Sequence, residues 1–429
     1  MICAIMPPMD SKPHVVIIGG GFAGLNAAKL LKHSPVTITL IDKANHHLFQ
    51  PLLYQVATSA LSPHDIAVPL RSIFRTQSNV RVMMGEVDSI NKEEKTVHLT
   101  DGANFSYDYC IVATGSRHAY FGHDEWEHVA PGLKTLGDAL IIRERILLAF
   151  ERAERLNDTK EQEKFLTFVV IGAGPTGVEM AGAIAEIATK SMRKNFRNID
   201  PAKAKVILVE GGKKVLAPYP DSLSEIAKED LENLGVKVLL NTVVTHIETG
   251  IVKVGDTLIE SANIIWAAGN MASPFLKTLE TEQDKMGRVV VTPHLYVPEY
   301  PELFVIGDCA FVKDYSGPPL PGIAPVAMQQ GKYVAKVIQN RLLGKATRPF
   351  AYLDKGKMAT IGRARAVVDI PFLKLSGLIA WLIWSFIHVL FLINFKNKII
   401  VLFEWAISFI NNNKAVRLIT GREKNPPSF

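Results

Sequence analysis

Cysteine is scarce. The chain has three in 429 residues, Cys3, Cys110 and Cys309, and no two stand at C-x-x-C spacing. That excludes a disulfide-stapled secreted scaffold and a structural zinc site, and no metal is expected. Charge of one sign is also thin. Against 48 Lys+Arg stand 42 Asp+Glu, a net +6, and residues 372–429 hold seven Lys/Arg and two acids, so the first 371 residues are nearly neutral. A nucleic-acid binder would spread basic charge over a groove-sized face, so no nucleic-acid partner is expected. Met1–Lys12 lacks a basic n-region and an apolar core, which argues against a secretory signal; Met9 is an alternative start. The body is therefore expected in the cytoplasm. With 48% apolar and 21% charged residues the chain is not disordered, and its length implies about two to four domains.

Internal repetition organises what is present. Val15-Val16-Ile17-Ile18 runs into Gly19-Gly20-Gly21-Phe22-Ala23-Gly24, a buried strand, a glycine turn and a helix start. Phe168-Val169-Val170-Ile171 runs the same way into Gly172-Ala173-Gly174-Pro175-Thr176-Gly177, 153 residues on. Each copy then has a second landmark, Ala113-Thr114-Gly115 in the first and Ala267-Ala268-Gly269 in the second, 154 residues apart. Matched offsets predict two copies of one nucleotide-binding unit. The first glycine of each turn allows the tight bend, the second lets backbone approach a pyrophosphate, and the third lets helix pack on strand. The helix N-terminus then offers free N–H groups and a dipole to the phosphates.

Such a unit needs an acid at the end of its second strand to hold ribose hydroxyls. Val36–Ile41 ends at Asp42, and Val206–Val209 ends at Glu210. Either acid can also be a plain strand-end solubiliser. A carboxylate repels a 2′-phosphate, so Glu210 favours NADH over NADPH, a preference that the neighbouring Lys213 and Lys214 can soften. The basic stretch Arg193–Arg197 between the two elements reads as a solvated loop or helix end.

Leu303–Ile306 leads into Gly307-Asp308, another short strand ending in an acid. Here the sequence resembles the two-dinucleotide-binding flavoprotein reductases. Gly174-Pro175-Thr176-Gly177-Val178-Glu179-Met180-Ala181-Gly182, Trp266-Ala267-Ala268-Gly269 and Ala324-Pro325-Val326-Ala327-Met328-Gln329-Gln330-Gly331 narrow the resemblance to type II NADH:quinone oxidoreductases. These are single-subunit respiratory enzymes that do not pump protons. The likeness runs from about residue 13 to 420. It implies an α/β fold of two Rossmann-like domains, glutathione-reductase-like, with a C-terminal helical membrane-attachment region. Residues 1–125 and 289–350 would hold non-covalent FAD, 165–288 would hold NADH as substrate after a helical linker at 126–164, and 351–429 would anchor, with helices near 372–394 and 397–413.

The resemblance also implies site residues. FAD would lie against Gly19, Gly20, Gly21, Phe22, Ala23, Gly24, Asp42, Lys43, Val87, Ala113, Thr114, Gly115, Asp308 and Ala327. NADH would lie against Gly172, Gly174, Pro175, Thr176, Gly177, Glu179, Glu210, Ala268 and Gly269. Asp308 would approach the ribityl chain, or cap the next helix. Glu179 and Gln329 would be the catalytic pair. Glu179 would orient NADH or relay a proton to reduced quinone, or serve only as a first-turn acid. Gln329 would face quinone, or make helix N-terminal hydrogen bonds. Where the family often has Ala-Gln-x-Ala-x-Gln, this chain has Pro325 in place of the first glutamine. His46 and His47 rank low.

Flavin chemistry needs no protein nucleophile, which fits the lack of a Ser/His/Asp triad. The missing cysteine pair argues against disulfide reductases and against sulfide:quinone oxidoreductases, which share the fold. A second rival is a non-enzymatic FAD- and NADH-binding membrane scaffold. Cys110 and Cys309 read as small buried hydrophobes.

At the C-terminus, Leu375–Ile393 gives 19 positions without a formal charge. A helix of that length just spans the roughly 30 Å hydrocarbon core. A second segment, Ile399–Ile410, carries Glu404, with Ser408 and Asn411 on the same stripe, and Trp381, Trp384 and Trp405 fall in these two stretches. The expected partner is membrane lipid, met by two helices lying in one leaflet on the cytoplasmic face of the inner membrane. A single span and burial within protein are the alternatives, and a homodimer is implied by resemblance alone.

Overall fold

The computed structural model describes residues 12–312, 319–411 and 416–419, without the side chains of 408–411. Cys3, Met9 and the polar stripe at Ser408 and Asn411 lie outside what is described. The chain divides into two compact units. The first comprises Met1–His47, Val68–Arg117 and Asn270–Leu353. The second comprises Leu48–Ala67, His118–Gly269 and Asp354–Phe429.

The first unit is built on a six-stranded sheet. Its order is Tyr296–Val297, Tyr300–Val305, Tyr109–Val112, His14–Ile18, Thr37–Asp42, Val80–Met84. All neighbours are parallel except the first pair. Val15, Val16 and Ile17 are fully buried, as a central parallel strand covered on both faces requires. A three-stranded antiparallel sheet, Val87–Asn91, Thr96–Leu99 and Asn104–Ser106, intervenes before Tyr109–Val112. Helices Phe22–Leu30 and Ala324–Leu342 meet at Gly331, where an added Cβ would collide with the Ala23 carbonyl oxygen.

The second unit repeats the plan. Its four parallel strands run Val236–Leu239, Lys205–Val209, Thr167–Ile171, Asn263–Trp266. An antiparallel trio, Val244–Glu248, Ile251–Val254 and Thr257–Glu260, again precedes the last strand. The repeat inferred from two offsets thus extends to strand order and to the inserted small sheet. Tyr120, Trp126 and Trp266 fill the space between the main sheet and that trio.

The remainder of the second unit is the C-terminal region. Lys357–Gly362, Arg365–Ile370 and Leu373–Ser376 form an antiparallel sheet, followed by helices Gly377–Phe391 and Phe395–Asn411. Residues 48–67 belong with these helices. Asn397 Nδ2 donates to the carbonyls of His64 and Asp65 at 2.9 Å, and Trp405 Nε1 donates to Gln55 Oε1 at 2.7 Å. Residues 270–288 fall in the first unit, where Val289–Val291 pairs with Ala310–Val312. The two units change over at 117/118, 269/270 and 353/354, with a short excursion at 48–67.

The apolar run at 375–393 is not one helix. Its start pairs as a strand, because Leu373–Ser376 completes the sheet edge. The helix that follows has 15 residues, about 22 Å at 1.5 Å per residue, short of the roughly 30 Å core. No helix among the described residues is long and apolar enough to cross a membrane, which corrects the single-span alternative.

Substituting Gly331→Ala is expected to cost about 1–3 kcal/mol through overpacking, read as a lower thermal midpoint. Gly137→Ala, on an exposed helix position, should leave the midpoint unchanged or raise it.

Candidate functional site

The first glycine turn leaves strand His14–Ile18 through Gly19, whose φ of +105° only glycine adopts freely. A Cβ on Gly19 would meet the Ala113 carbonyl, and one on Gly24 would meet the Gly19 carbonyl oxygen. Gly21 differs. Its φ is −69° and a Cβ there would meet nothing within 4 Å. The fold itself makes no demand for glycine at Gly21, so its bareness keeps clear the space over a helix N-terminus that has no side-chain cap and no acid in its first turn. That is the cradle a dinucleotide pyrophosphate needs.

Asp42 braces this turn. Oδ2 accepts from the Gly20 N–H at 2.6 Å and Oδ1 accepts from the Ala44 N–H at 2.7 Å. Lys43 beside it is exposed. His47 holds the other side: its Nδ1–H donates to the Gly20 carbonyl at 2.9 Å, and its ring meets Phe22 edge-on at 5.1 Å. Burial pushes its pKa down to about 4, so it stays neutral. The low rank given to His47 missed this. Its nearness to Asp42 along the chain was the available signal.

The returning strand Tyr300–Val305 delivers Gly307 and Asp308 to the same edge. Ser116 Oγ donates to Asp308 Oδ2 at 2.9 Å. Ala23 and Ala327 bracket Gly307, with Cβ atoms within 3.7 Å of where its own would stand. Ala113 is buried, while Thr114, Gly115 and Val87 are half-buried. The Gly307 N–H donates to Oε1 of Gln330 at 2.6 Å, and Gln330 is buried. Sequence reasoning passed over Gln330 for its neighbour. The amide of Gln329 is paired on both sides with the backbone of Leu353, donating at 2.9 Å and accepting at 3.0 Å.

The second unit repeats the glycine turn and its bracing acid. A Cβ on Gly172 (φ +100°) would crowd Ala267 and Ala268 at 2.8 Å, and one on Gly177 would strike the Gly172 carbonyl oxygen. Gly174, at φ −69°, again meets nothing within 4 Å. Pro175 opens the helix, where its missing N–H is no loss; Thr176 follows, half-buried. Glu210 Oε2 accepts from Ala173 N–H and Oε1 from Gly212 N–H, both at 2.7 Å. Lys214 is committed to Asp221 and to the Tyr219 carbonyl, each at 2.7 Å. Gly269, at φ +71°, packs on Phe121, and Ala268 beside it is half-exposed.

On the same helix Glu179 faces a cavity of about 100 Å³ within the second unit. Tyr54, Gln55, Trp381, Trp384 and Trp405 help to line it. Burial raises the Glu179 pKa well above the usual carboxylate range, against the opposing pull of a Thr360 backbone hydrogen bond. Further along the helix, Glu186 pairs with Lys190 at 2.8 Å and accepts from Arg363 N–H at 3.0 Å. Cys110 and Cys309 are buried thiols with pKa values pushed up by burial, Cys309 to about 11. Neither is a thiolate nucleophile. No group of side chains able to hold a metal occurs among the described residues.

Two bare, carboxylate-braced glycine turns on parallel sheets define an oxidoreductase of the two-dinucleotide class. The family model described as pyridine nucleotide-disulphide oxidoreductase matches residues 13–331, and the NDH2 C-terminal domain matches 355–412. Two curated proteins of Mycobacterium tuberculosis, the type II NADH:quinone oxidoreductases NdhA and Ndh, are each 45% identical to this chain. The alignments span 96% and 95% of it and 91% and 90% of those proteins. The structure of NDH2 from Plasmodium falciparum in complex with NADH superposes with a TM-score of 0.85 at 21% identity, covering 95% of this chain and 99% of that one. The sulfide:quinone oxidoreductase of Aquifex aeolicus shares the fold at a TM-score of 0.71 and 19% identity, covering 89% and 90%. The chain belongs to the type II NADH:quinone oxidoreductase family.

Because a Cβ at Gly21 or Gly174 would meet nothing within 4 Å among the described residues, G21A and G174A should leave the thermal midpoint of the flavin-free protein unchanged. G21A should lose flavin on gel filtration. G174A should keep flavin and raise the KM for NADH.

Proposed function

We propose that this NADH:quinone oxidoreductase holds FAD on the first unit and NADH on the second, and works as a peripheral enzyme on the cytoplasmic face of the inner membrane. The observation that carries the reading is the duplicated turn, with a bare second glycine and a strand-end acid bonded to two backbone N–H groups. When bound, FAD would supply the two-electron chemistry that links hydride from NADH to quinone reduction.

The protein's part is to bind and orient. The N-termini of helices Phe22–Leu30 and Pro175–Glu186 direct free N–H groups at the two pyrophosphates. Asp42 and Glu210 spend one lone pair of each oxygen on backbone and keep others for ribose hydroxyls. Glu210 repels a 2′-phosphate, and the commitment of Lys214 to Asp221 removes one cation that would offset this, so NADH is preferred over NADPH. Asp308, aligned by Ser116, faces the flavin side of its unit's edge. Gln329 braces Leu353 with one N–H and one carbonyl lone pair, which leaves its second N–H for a quinone oxygen. Glu179 holds a proton at its carboxyl up to a pH where an ordinary glutamate is ionised, which suits the proton donor that quinone reduction needs.

Membrane attachment rests on the outward faces of the last two helices. Leu378, Ile379, Leu382, Phe386 and Leu390 are exposed on the first, and Phe395, Ile399, Leu402 and Phe403 on the second. Patches of this kind in water mark an interaction surface, and the adjacent Lys396 and Lys398 suit anionic headgroups at about 1 kcal/mol each. A homodimer is compatible with the same reading.

Anaerobic mixing tests the function. NADH should bleach the visible flavin band and a short-chain quinone should restore it; bleaching without recovery would reject quinone as acceptor. Recovery should slow as pH rises through the elevated Glu179 pKa, because the acid form is lost, and E179Q should flatten that dependence. F386S/F403S should reduce co-sedimentation with anionic lipid vesicles and leave flavin content intact.

A further inference from the structure

Gln55 is buried, and its amide joins two side chains that line the Glu179 cavity. Trp405 Nε1–H donates to Gln55 Oε1 at 2.7 Å, and Gln55 Nε2–H donates to Tyr54 Oη at 2.9 Å. The direction of this chain has no freedom. An indole N–H is a donor only, so Gln55 must present its oxygen to Trp405 and its nitrogen to Tyr54. The Tyr54 oxygen therefore accepts, and its own proton can only be donated onward. Among the described residues no acceptor is recorded for that proton, and Tyr54 lines the same cavity as Glu179.

The geometry points to Tyr54 as the hydrogen-bond donor for a quinone oxygen in this cavity, with Gln55 and Trp405 as positioning residues that fix the donor's direction. This rests on the quinone-reductase reading above. The cavity's size agrees with a restricted role. About 100 Å³ is well below the ~300–1,000 Å³ of a drug-sized ligand site, so it admits the leading edge of a ring and not an isoprenoid tail. Trp381, Trp384 and Trp405 supply flat apolar walls for such an edge.

Tyr54 keeps its proton throughout. Burial raises its pKa well above the usual phenol value. The other charged groups at the cavity are Lys190, paired with Glu186, and Arg363, while Arg417 is bonded to the Ser191 carbonyl. Quinone takes its two electrons and two protons from other groups. Tyr54 contributes a hydrogen bond that strengthens as negative charge grows on the quinone oxygen. Trp405 stands on helix Phe395–Asn411, whose Leu402 and Phe403 are exposed, so the seating of that helix is read into the cavity through one amide.

A double-mutant cycle tests the proposal, using Y54F, W405F and Y54F/W405F in the full-length flavin-loaded protein. Reduced flavin is reoxidised anaerobically by a short-chain ubiquinone, and binding of the same quinone to oxidised protein is followed by equilibrium dialysis. Y54F should slow reoxidation on the order of 100-fold, as loss of one donor to a developing oxyanion does, and weaken quinone binding. W405F should give a smaller loss, and the double variant should lose clearly less than the product of the two single losses, because the Trp405 N–H acts through Tyr54. Flavin reduction by NADH should keep its rate in all three, and the surface variant E163Q should behave as wild type. Wild-type reoxidation rates in Y54F, multiplicative losses in the double variant, or equal slowing of the NADH step would overturn the proposal. If wild-type flavin bleaches but quinone does not reoxidise it, the quinone-reductase reading itself falls, a failure distinct from that of Tyr54.

Discussion

Everything in the two nucleotide sites depends on how closely the backbone can approach itself at Gly19 and Gly172. At both points a side chain would run into the end of a neighbouring strand. The tight turn brings the first residues of the next helix to the strand edge, and the strand-end acid then holds the turn by two N–H groups. Bonds to a charged acceptor contribute roughly 1.5–3 kcal/mol each, enough to hold the turn in one conformation before any ligand arrives. The helix N-termini at Gly21 and Gly174 carry no side-chain cap. Preorganisation here is a matter of which donors are already used.

The same economy explains the buried polar side chains. His47, Gln330, Gln55 and Asn397 each lie inside the protein, and each bonds at least one polar atom to a named partner. Leaving one such group unpaired would cost about 1–3 kcal/mol. Three of the four hold backbone or side chain next to a proposed ligand: His47 and Gln330 at the first glycine turn and the returning strand, Gln55 at the Glu179 cavity. Asn397 instead fastens a C-terminal helix to residues 64 and 65.

Much of this was legible in the sequence because glycine is unambiguous. A strand followed by G-x-G-x-x-G, twice, at a constant offset to a second landmark leaves few architectures open. The acids were legible for the same reason, although their bonds to Gly20 and Ala173 were not. Gln329 and Gln330 were not separable by pattern: adjacent helical residues point in different directions, and only the packing shows that Gln330 reaches Gly307 while Gln329 reaches Leu353. The membership of residues 48–67 in the second unit was hidden too, since it depends on hydrogen bonds to residues more than 300 positions away. At 373–376 a helical apolar pattern lost to sheet completion, a tertiary effect that local propensity does not carry.

The assignment of one nucleotide to each turn is tested most directly by an experimental structure of the flavin-loaded protein with NADH bound under anaerobic conditions. The flavin pyrophosphate should lie over Gly21 with its ribose on Asp42, and the NADH pyrophosphate over Gly174 with its ribose on Glu210. NADH found over Gly21, or a ribose turned away from Glu210, would contradict it.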